Sequence, residues 1–249
     1  MAYQFIYGIS PVLQVLLEKR RKPLKILIHR SQKTADLKKI LHLARKEGVP
    51  VDEVDKHQLS QTTQTTQHQG IALQVDEYCY GDFEVLLRLL SKKSEGLVLV
   101  LDQIQDPQNL GAILRSAVCA GVDAAILPEK GSALVTPAVL KASAGAAEAI
   151  LVAPVVNLVR ALSELKKLGF KVVGTEAGAP LAFWEADLGG KVALVLGSEG
   201  MGVRNVIKKQ CDFLISIPLL GTISALNVSV TAGILLYEVL RQRKNLKTP

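Results

Sequence analysis

Apolar positions along this chain fall into two textures. Over residues 1–76 they recur three or four apart or alternate with polar ones, as amphipathic helices and half-covered strands require. That pattern predicts a helix from Ser10 to Lys19, a strand at LKILI, a helix from Thr34 to Glu47, and strands at VPVDEV and GIALQV. Between the last two lies SQTTQTTQHQG, poor in apolar residues and ended by Gly70, which is expected to be a surface loop. The segment YCYGDFEVLLRLLSKKSE then reads as a short linker and an amphipathic helix.

From Gly96 onward the chain consists of short aliphatic runs separated by glycine-rich turns. LVLVLD, AAILP, AILVAP, KVVGTE, VALVLG and FLISIP are continuous rather than alternating, which marks strands covered on both faces. With helical stretches between most of them, they predict an α/β domain with a mostly parallel sheet and helices on each side. The domains are accordingly drawn as a small α/β unit at 1–76, a linker at 77–95 and a second domain at 96–249.

Composition narrows the class. With 49% apolar residues in 249, the chain can bury a sizeable core, which excludes disordered and fibrous proteins. No apolar run approaches the ~20 residues of a membrane helix, and MAYQFIYGIS lacks the basic, apolar and small-residue regions of a secretory signal. A cytoplasmic protein without a membrane partner is expected. Cys79, Cys119 and Cys211 are far apart, and the four histidines follow no ligand spacing, so no metal is expected. The net charge of +7 is concentrated in front, where residues 1–50 carry 11 Lys and Arg against three acids. Clustered cations on a small unit suit a phosphate backbone.

Ligands of open parallel sheets gather beyond the carboxyl ends of the strands. Three such loops carry polar chemistry: DQIQDPQNLGAILRSAVCAG, GSEGMGV and LLGTISALNVSVTAG. No G-x-G-x-x-G and no G-x-x-x-x-G-K-[ST] occurs, which argues against dehydrogenases and NTPases. In the first loop Pro107 stops the strand and Asn109 is expected to cap the next helix. Arg115 stands in an apolar helix, where an unpaired guanidinium is costly to bury, so it is expected to face an anion or a polar cleft. In the second loop Gly197, Gly200 and Gly202 surround Glu199 and leave the backbone free to present its amides. In the third, Gly221, Thr222, Ser224 and Asn227 precede a helix whose first N–H groups are expected to be free. That helix is apolar nearly all round, as a buried element or half of a subunit interface would be.

In this order and spacing, the segments D-x-I-x-D-P-x-N-x-G-x-I-x-R, L-V-L-G-S-E-G-M-G and I-P-x-x-G-x-x-x-x-L-N-V-S-V-x-x-G-I resemble the SpoU branch of the SPOUT methyltransferases. In front, YGISPV and LKILIHR resemble the ribosomal-protein-like substrate-binding domain of the ribosomal-RNA ribose methyltransferases. The resemblance implies a C-terminal segment threaded into a trefoil knot, S-adenosylmethionine as cofactor, homodimers, and methylation of RNA at a ribose 2′-hydroxyl. It assigns Thr175, Gly197, Gly200, Ile217, Pro218, Ser224 and Leu226 to the cofactor. It assigns Arg115, Asn109, Glu199 and Asn227 to catalysis, Arg115 either as the base or as the group orienting a phosphate beside the hydroxyl. A guanidinium holds its proton near neutral pH, which weighs against the first role. Two positions depart from the family: Ala225 stands where a serine is common, and Ser10 where many ribosomal-RNA relatives carry histidine. A guanosine of 23S ribosomal RNA is the expected target, with transfer RNA as the alternative substrate. A non-catalytic ribosome-assembly protein of the same fold would have no need of Asn109, Arg115, Glu199 and Asn227 together.

Overall fold

Caps and apolar runs fix most elements of the front half. In the computed structural model, which describes residues 3–32, 34–222 and 224–245, β1 (Tyr3–Tyr7) leads into α1 (Ile9–Glu18), β2 (Pro23–His29) and α2 (Ala35–Lys46). β3 (Val51–Val54), α3 (Lys56–Thr63) and β4 (Ile71–Asp76) follow. Thr34 caps α2 by accepting from Leu37 N at 3.2 Å, and Asp55 caps α3 by accepting from Gln58 N at 2.8 Å. The four strands form one sheet in the order β1-β4-β2-β3, with only β2 and β3 parallel. Ile6, Val12, Ile26, Ile40 and Leu73 are fully buried in its core.

The stretch expected to be a surface loop is partly helix and partly buried. Its first residues complete α3, whose Leu59 is fully buried, and His68 is only 2% exposed. The His68 ring has partners on both sides: Nδ1 accepts from Gly70 N at 3.0 Å, and Nε2 lies 3.1 Å from Ser60 Oγ. A polar side chain with both ring nitrogens bonded can be buried, which composition alone does not reveal.

The second half continues with α4 (Phe83–Ser91), β5 (Gly96–Asp102), α5 (Pro107–Cys119), β6 (Ala124–Pro128) and α6 (Pro137–Ala142). A 3-10 turn at Ala146–Glu148 precedes β7 (Leu151–Val155), α7 (Leu158–Lys167), β8 (Lys171–Thr175) and β9 (Leu181–Ala182). The chain closes with β10 (Lys191–Gly197), α8 (Asn205–Lys208), β11 (Phe213–Ser216) and α9 (Val228–Asn245). The chain divides into two units: Met1–Cys79 with Val135–Ala149, and Tyr80–Leu134 with Ile150–Pro249.

The excursion at 135–149 thus belongs with the first unit. Its Glu148 pairs with Arg21, the two side chains 2% and 1% exposed, while Arg21 also donates to Asp76 O at 3.0 Å. Tyr78 donates its hydroxyl to Ala147 O at 2.7 Å, and the Arg21 guanidinium lies 5.6 Å from the Tyr78 ring centre. A buried charge pair with this many partners avoids the cost of a lone buried ion.

The second unit carries the expected parallel sheet, seven strands in the order β7-β6-β5-β10-β8-β11-β9 with every pairing parallel. All residues of β5 and β6 are buried, which explains their unbroken apolarity. The strand order reverses between β5 and β10, from which the chain continues to opposite halves of the sheet, β6 on one side and β11 on the other. α9 buries Ala232, Leu235, Leu236 and Val239, packs against α5, and leaves Val230 and Tyr237 about half exposed. Among the described residues no helix is long and apolar enough to cross a membrane.

Candidate active site

Beyond β5 the chain turns sharply at Gln103, whose φ of 62° is unusual for a residue with a side chain. Asp106 caps α5, accepting from Gln108 N and Asn109 N at 3.1 and 3.2 Å, with Pro107 in the first turn. The cap is therefore Asp106 and not Asn109, because a proline suits the position directly after the cap. Asn109 is released for another task. Its side chain, 8% exposed, points towards the loop after β10.

That loop doubles back on its own strand: Gly202 N donates to Ser198 O at 2.9 Å, and Gly200 and Gly202 have φ of 83° and 64°. A Cβ on Gly197 would collide with the backbone of Gly202 and Val203, so this close approach admits only glycine. The turn presents Glu199, whose Oε1 accepts from Asn109 Nδ2 at 2.8 Å and from Asn227 Nδ2 at 2.6 Å. Asn227 Nδ2 also donates to Asn109 Oδ1 at 3.0 Å. The three expected polar residues thus form one closed network.

Asn227 has a second function. Its Oδ1 accepts from Ser229 N at 2.8 Å and Val230 N at 3.4 Å, so it caps α9. The first N–H groups of that helix are consequently engaged by Asn227 and not free, contrary to expectation, because asparagine is among the preferred capping residues.

Beside the network lies a cleft of about 390 Å³, lined by Thr175, Gly197, Glu199, Gly200, Ile217, Ser224 and Leu226 among others. This volume falls within the range of small-molecule sites. Thr175 donates its hydroxyl to Val195 O at 3.1 Å, tying β8 to β10 at the cleft floor. Pro218 borders an adjoining pocket instead of the cleft itself. Arg115 is exposed on α5 and makes no ion pair among the described residues. Among the described residues it neither lines the cleft nor meets an anion. Six residues beyond Asn109, it lies roughly a third of a turn away around the helix.

Two ion pairs at the site were not anticipated. Asp102, fully buried at the end of β5, accepts from Arg204 N at 3.0 Å and from Arg204 Nε at 2.8 Å. This joins the end of the first loop's strand to the end of the second loop. The signal was present, since an acid closing a wholly apolar strand needs a buried partner. Lys208 likewise pairs with Glu176 at the cleft wall. Among the described residues no group of three or more His, Cys, Asp or Glu gathers as metal ligands would.

A cleft beyond the carboxyl ends of β8, β10 and β11 of a parallel sheet, floored by glycine backbone and edged by a polar network, is the kind of site at which an α/β enzyme domain takes a small cofactor. The SpoU rRNA Methylase family model matches residues 96–237, and the model for RNA 2'-O ribose methyltransferase substrate binding matches residues 5–81. The chain belongs to the SpoU rRNA methylase family. The 23S rRNA (guanosine-2'-O-)-methyltransferase RlmB of Coxiella burnetii is 42% identical over 240 residues, which cover 96% of each chain. YacO of Bacillus subtilis, named for the TrmH family of tRNA/rRNA methyltransferases, is 38% identical over 97% of this chain and 96% of its own. The solved structure of the SpoU methyltransferase AviRb from Streptomyces viridochromogenes, in complex with AdoMet, superposes with a TM-score of 0.79. At 21% identity, covering 98% of this chain and 91% of that one, it is a likeness of fold.

Proposed function

We propose that this chain transfers the methyl group of S-adenosylmethionine to the 2′-hydroxyl of a guanosine in 23S ribosomal RNA. The observation that carries this reading is the closure of Asn109, Glu199 and Asn227, from three separate loops, into one network beside the cleft. The cleft suits a nucleoside cofactor: Ile217 and Leu226 offer apolar surface, and Gly200, which has no side chain, leaves the backbone of the turn after β10 accessible. Thr175, Gly200 and Ser224 line the same cleft, and Pro218, beside it in the adjoining pocket, is assigned to fixing the turn after β11. The cofactor supplies an activated methyl group; the protein supplies orientation and charge.

Arg115, exposed and without an ion-pair partner among the described residues, is assigned to holding an RNA phosphate beside the reacting hydroxyl, a role for which a planar guanidinium is suited. Glu199 keeps its second oxygen, Oε2, without a hydrogen-bond donor among the described residues, and it lines the cleft. That oxygen is available to receive the hydroxyl proton. Asn109 and Asn227 hold the carboxylate in place.

Residues 1–76 are assigned to RNA binding, 77–95 to a linker, and 96–249 to the methyltransferase domain, threaded as a trefoil knot. Likeness to the Coxiella relative along nearly its whole length favours ribosomal over transfer RNA. Val230 and Tyr237, seven residues apart on one face of α9, give that helix an exposed apolar stripe suited to a homodimer. The protein is assigned to the cytoplasm, where its substrate is made. Methyl transfer from labelled cofactor to unmodified 23S ribosomal RNA, with alkaline hydrolysis to locate the blocked ribose, tests the reading. Cofactor binding without methyl incorporation would reject it in favour of an assembly factor.

A further inference from the structure

The lone tryptophan of the chain has no part in the site described above, yet it lies close to it. Trp184 is 52% exposed, an unusual position for the largest side chain. It stands two residues beyond Ala182, the last residue of β9, which is in register with Ser216 at the end of β11. Both strands are parallel, so Trp184 leaves the sheet at the same end as Ile217 and Pro218. Its position is fixed. Phe183 N donates to Ser216 O at 2.9 Å, Glu185 N donates to Ala182 O at 3.0 Å, and the Phe183 ring packs edge-on against the indole at 4.9 Å.

Between this turn and the cofactor cleft lies an open pocket of about 520 Å³, walled by residues 177–180, 182, 216–219, 221, 222 and 224. It shares Ala177, Ile217, Leu219 and Ser224 with the cleft. None of its lining side chains is charged, so it is not suited to a phosphate. Its apolar floor and the hydroxyls of Thr222 and Ser224 fit a neutral planar ring with a hydrogen-bonding edge.

We infer that Trp184 is a stacking platform for an unpaired nucleobase of the RNA, held over this pocket next to the ribose to be methylated. The inference rests on the RNA methyltransferase reading and adds to it a base-recognition site. An indole already fixed by its neighbours loses little freedom on stacking, and the π-face of any base satisfies it.

Because the chain has one tryptophan, indole emission from the full-length protein, excited at a wavelength that its five tyrosines do not absorb, reports on this position alone. Unmodified 23S ribosomal RNA is expected to quench it, whereas heparin, a polyanion without bases, is expected to leave it unchanged. Trp184→Ala is expected to raise the KM for RNA about tenfold or more, with the KM for S-adenosylmethionine and the melting temperature unmoved. Trp184→Phe, which keeps a ring, is expected to recover most of the loss. Equal quenching by heparin, no quenching by RNA, emission that follows protein concentration as in self-association, or an unchanged KM for RNA in Trp184→Ala would each overturn the inference. If the native protein binds RNA with quenching but transfers no methyl, the proposed function fails while the stacking site stands.

Discussion

Glu199 Oε1 accepts hydrogen bonds from both Asn109 and Asn227, at 2.8 and 2.6 Å, and the two asparagines are themselves bonded at 3.0 Å. One carboxylate oxygen thereby ties the start of α5 to the start of α9 through the turn after β10. Asn227→Asp separates this role from capping. Aspartate caps a helix as well as asparagine does, but it loses the donors and places a second negative charge against Glu199. The variant is expected to fold normally by circular dichroism and to lose methyl transfer about 10- to 100-fold, the scale of a lost hydrogen bond to a charged group.

Arg115 is exposed and has no ion-pair partner among the described residues, so its removal should leave the fold alone. Arg115→Ala is expected to abolish transfer while cofactor affinity by calorimetry is unchanged and stability stays within about 0.5 kcal/mol. Arg115→Lys, which keeps the charge without the planar fork, is expected to recover little.

Asp102 is fully buried and Arg204 is its ion-pair partner. Arg204→Ala leaves the carboxylate without its guanidinium, which costs about 3–5 kcal/mol for a wholly buried pair. With the Arg204 side chain 36% exposed, solvent screening reduces this to roughly 2 kcal/mol. Denaturant unfolding should register the loss.

Gly197 has no room for a methyl group against Gly202 and Val203. Gly197→Ala is expected to push the 198–203 turn off its strand, costing about 1–3 kcal/mol. A domain of this size would then melt several degrees lower, at roughly 2–4 °C per kcal/mol, and cofactor affinity should fall with it.

His68 is held neutral in the first unit: burial, then the charges of Lys56 and His29, lower its pKa below 6.5. Between the lowered value and 6.5 the unfolded chain binds more protons than the folded one. Its contribution to stability is therefore complete above 6.5 and declines as pH falls below it. Urea midpoints at about pH 8 and about pH 5.5 should differ in that direction, and His68→Gln is expected to narrow the difference.

The strands of the second unit were legible because burial on both faces leaves continuous aliphatic runs; β5 to β8, β10 and β11 all lie where such runs stand. β1 and β9 were not assigned. β9 has two residues, too few for any period. The cap of α5 differs from the expected one for a related reason. Asp106 and Asn109 are both preferred capping residues, and the choice depends on which backbone N–H groups each can reach.

By itself the sequence determined the parallel sheet, the three loops at its carboxyl ends and the chemical types they carry, because burial and capping leave local periodicities and local residue choices. Only the tertiary structure decided which polar groups meet. Asn109 and Glu199 are 90 residues apart, and Arg21 and Glu148 are 127 apart. The same holds for the return of 135–149 to the first unit, and for the exposed position of Arg115 on an apolar helix. Such pairings follow from strand order and the direction in which each loop leaves the sheet, and neither property is encoded in the spacing of neighbouring residues.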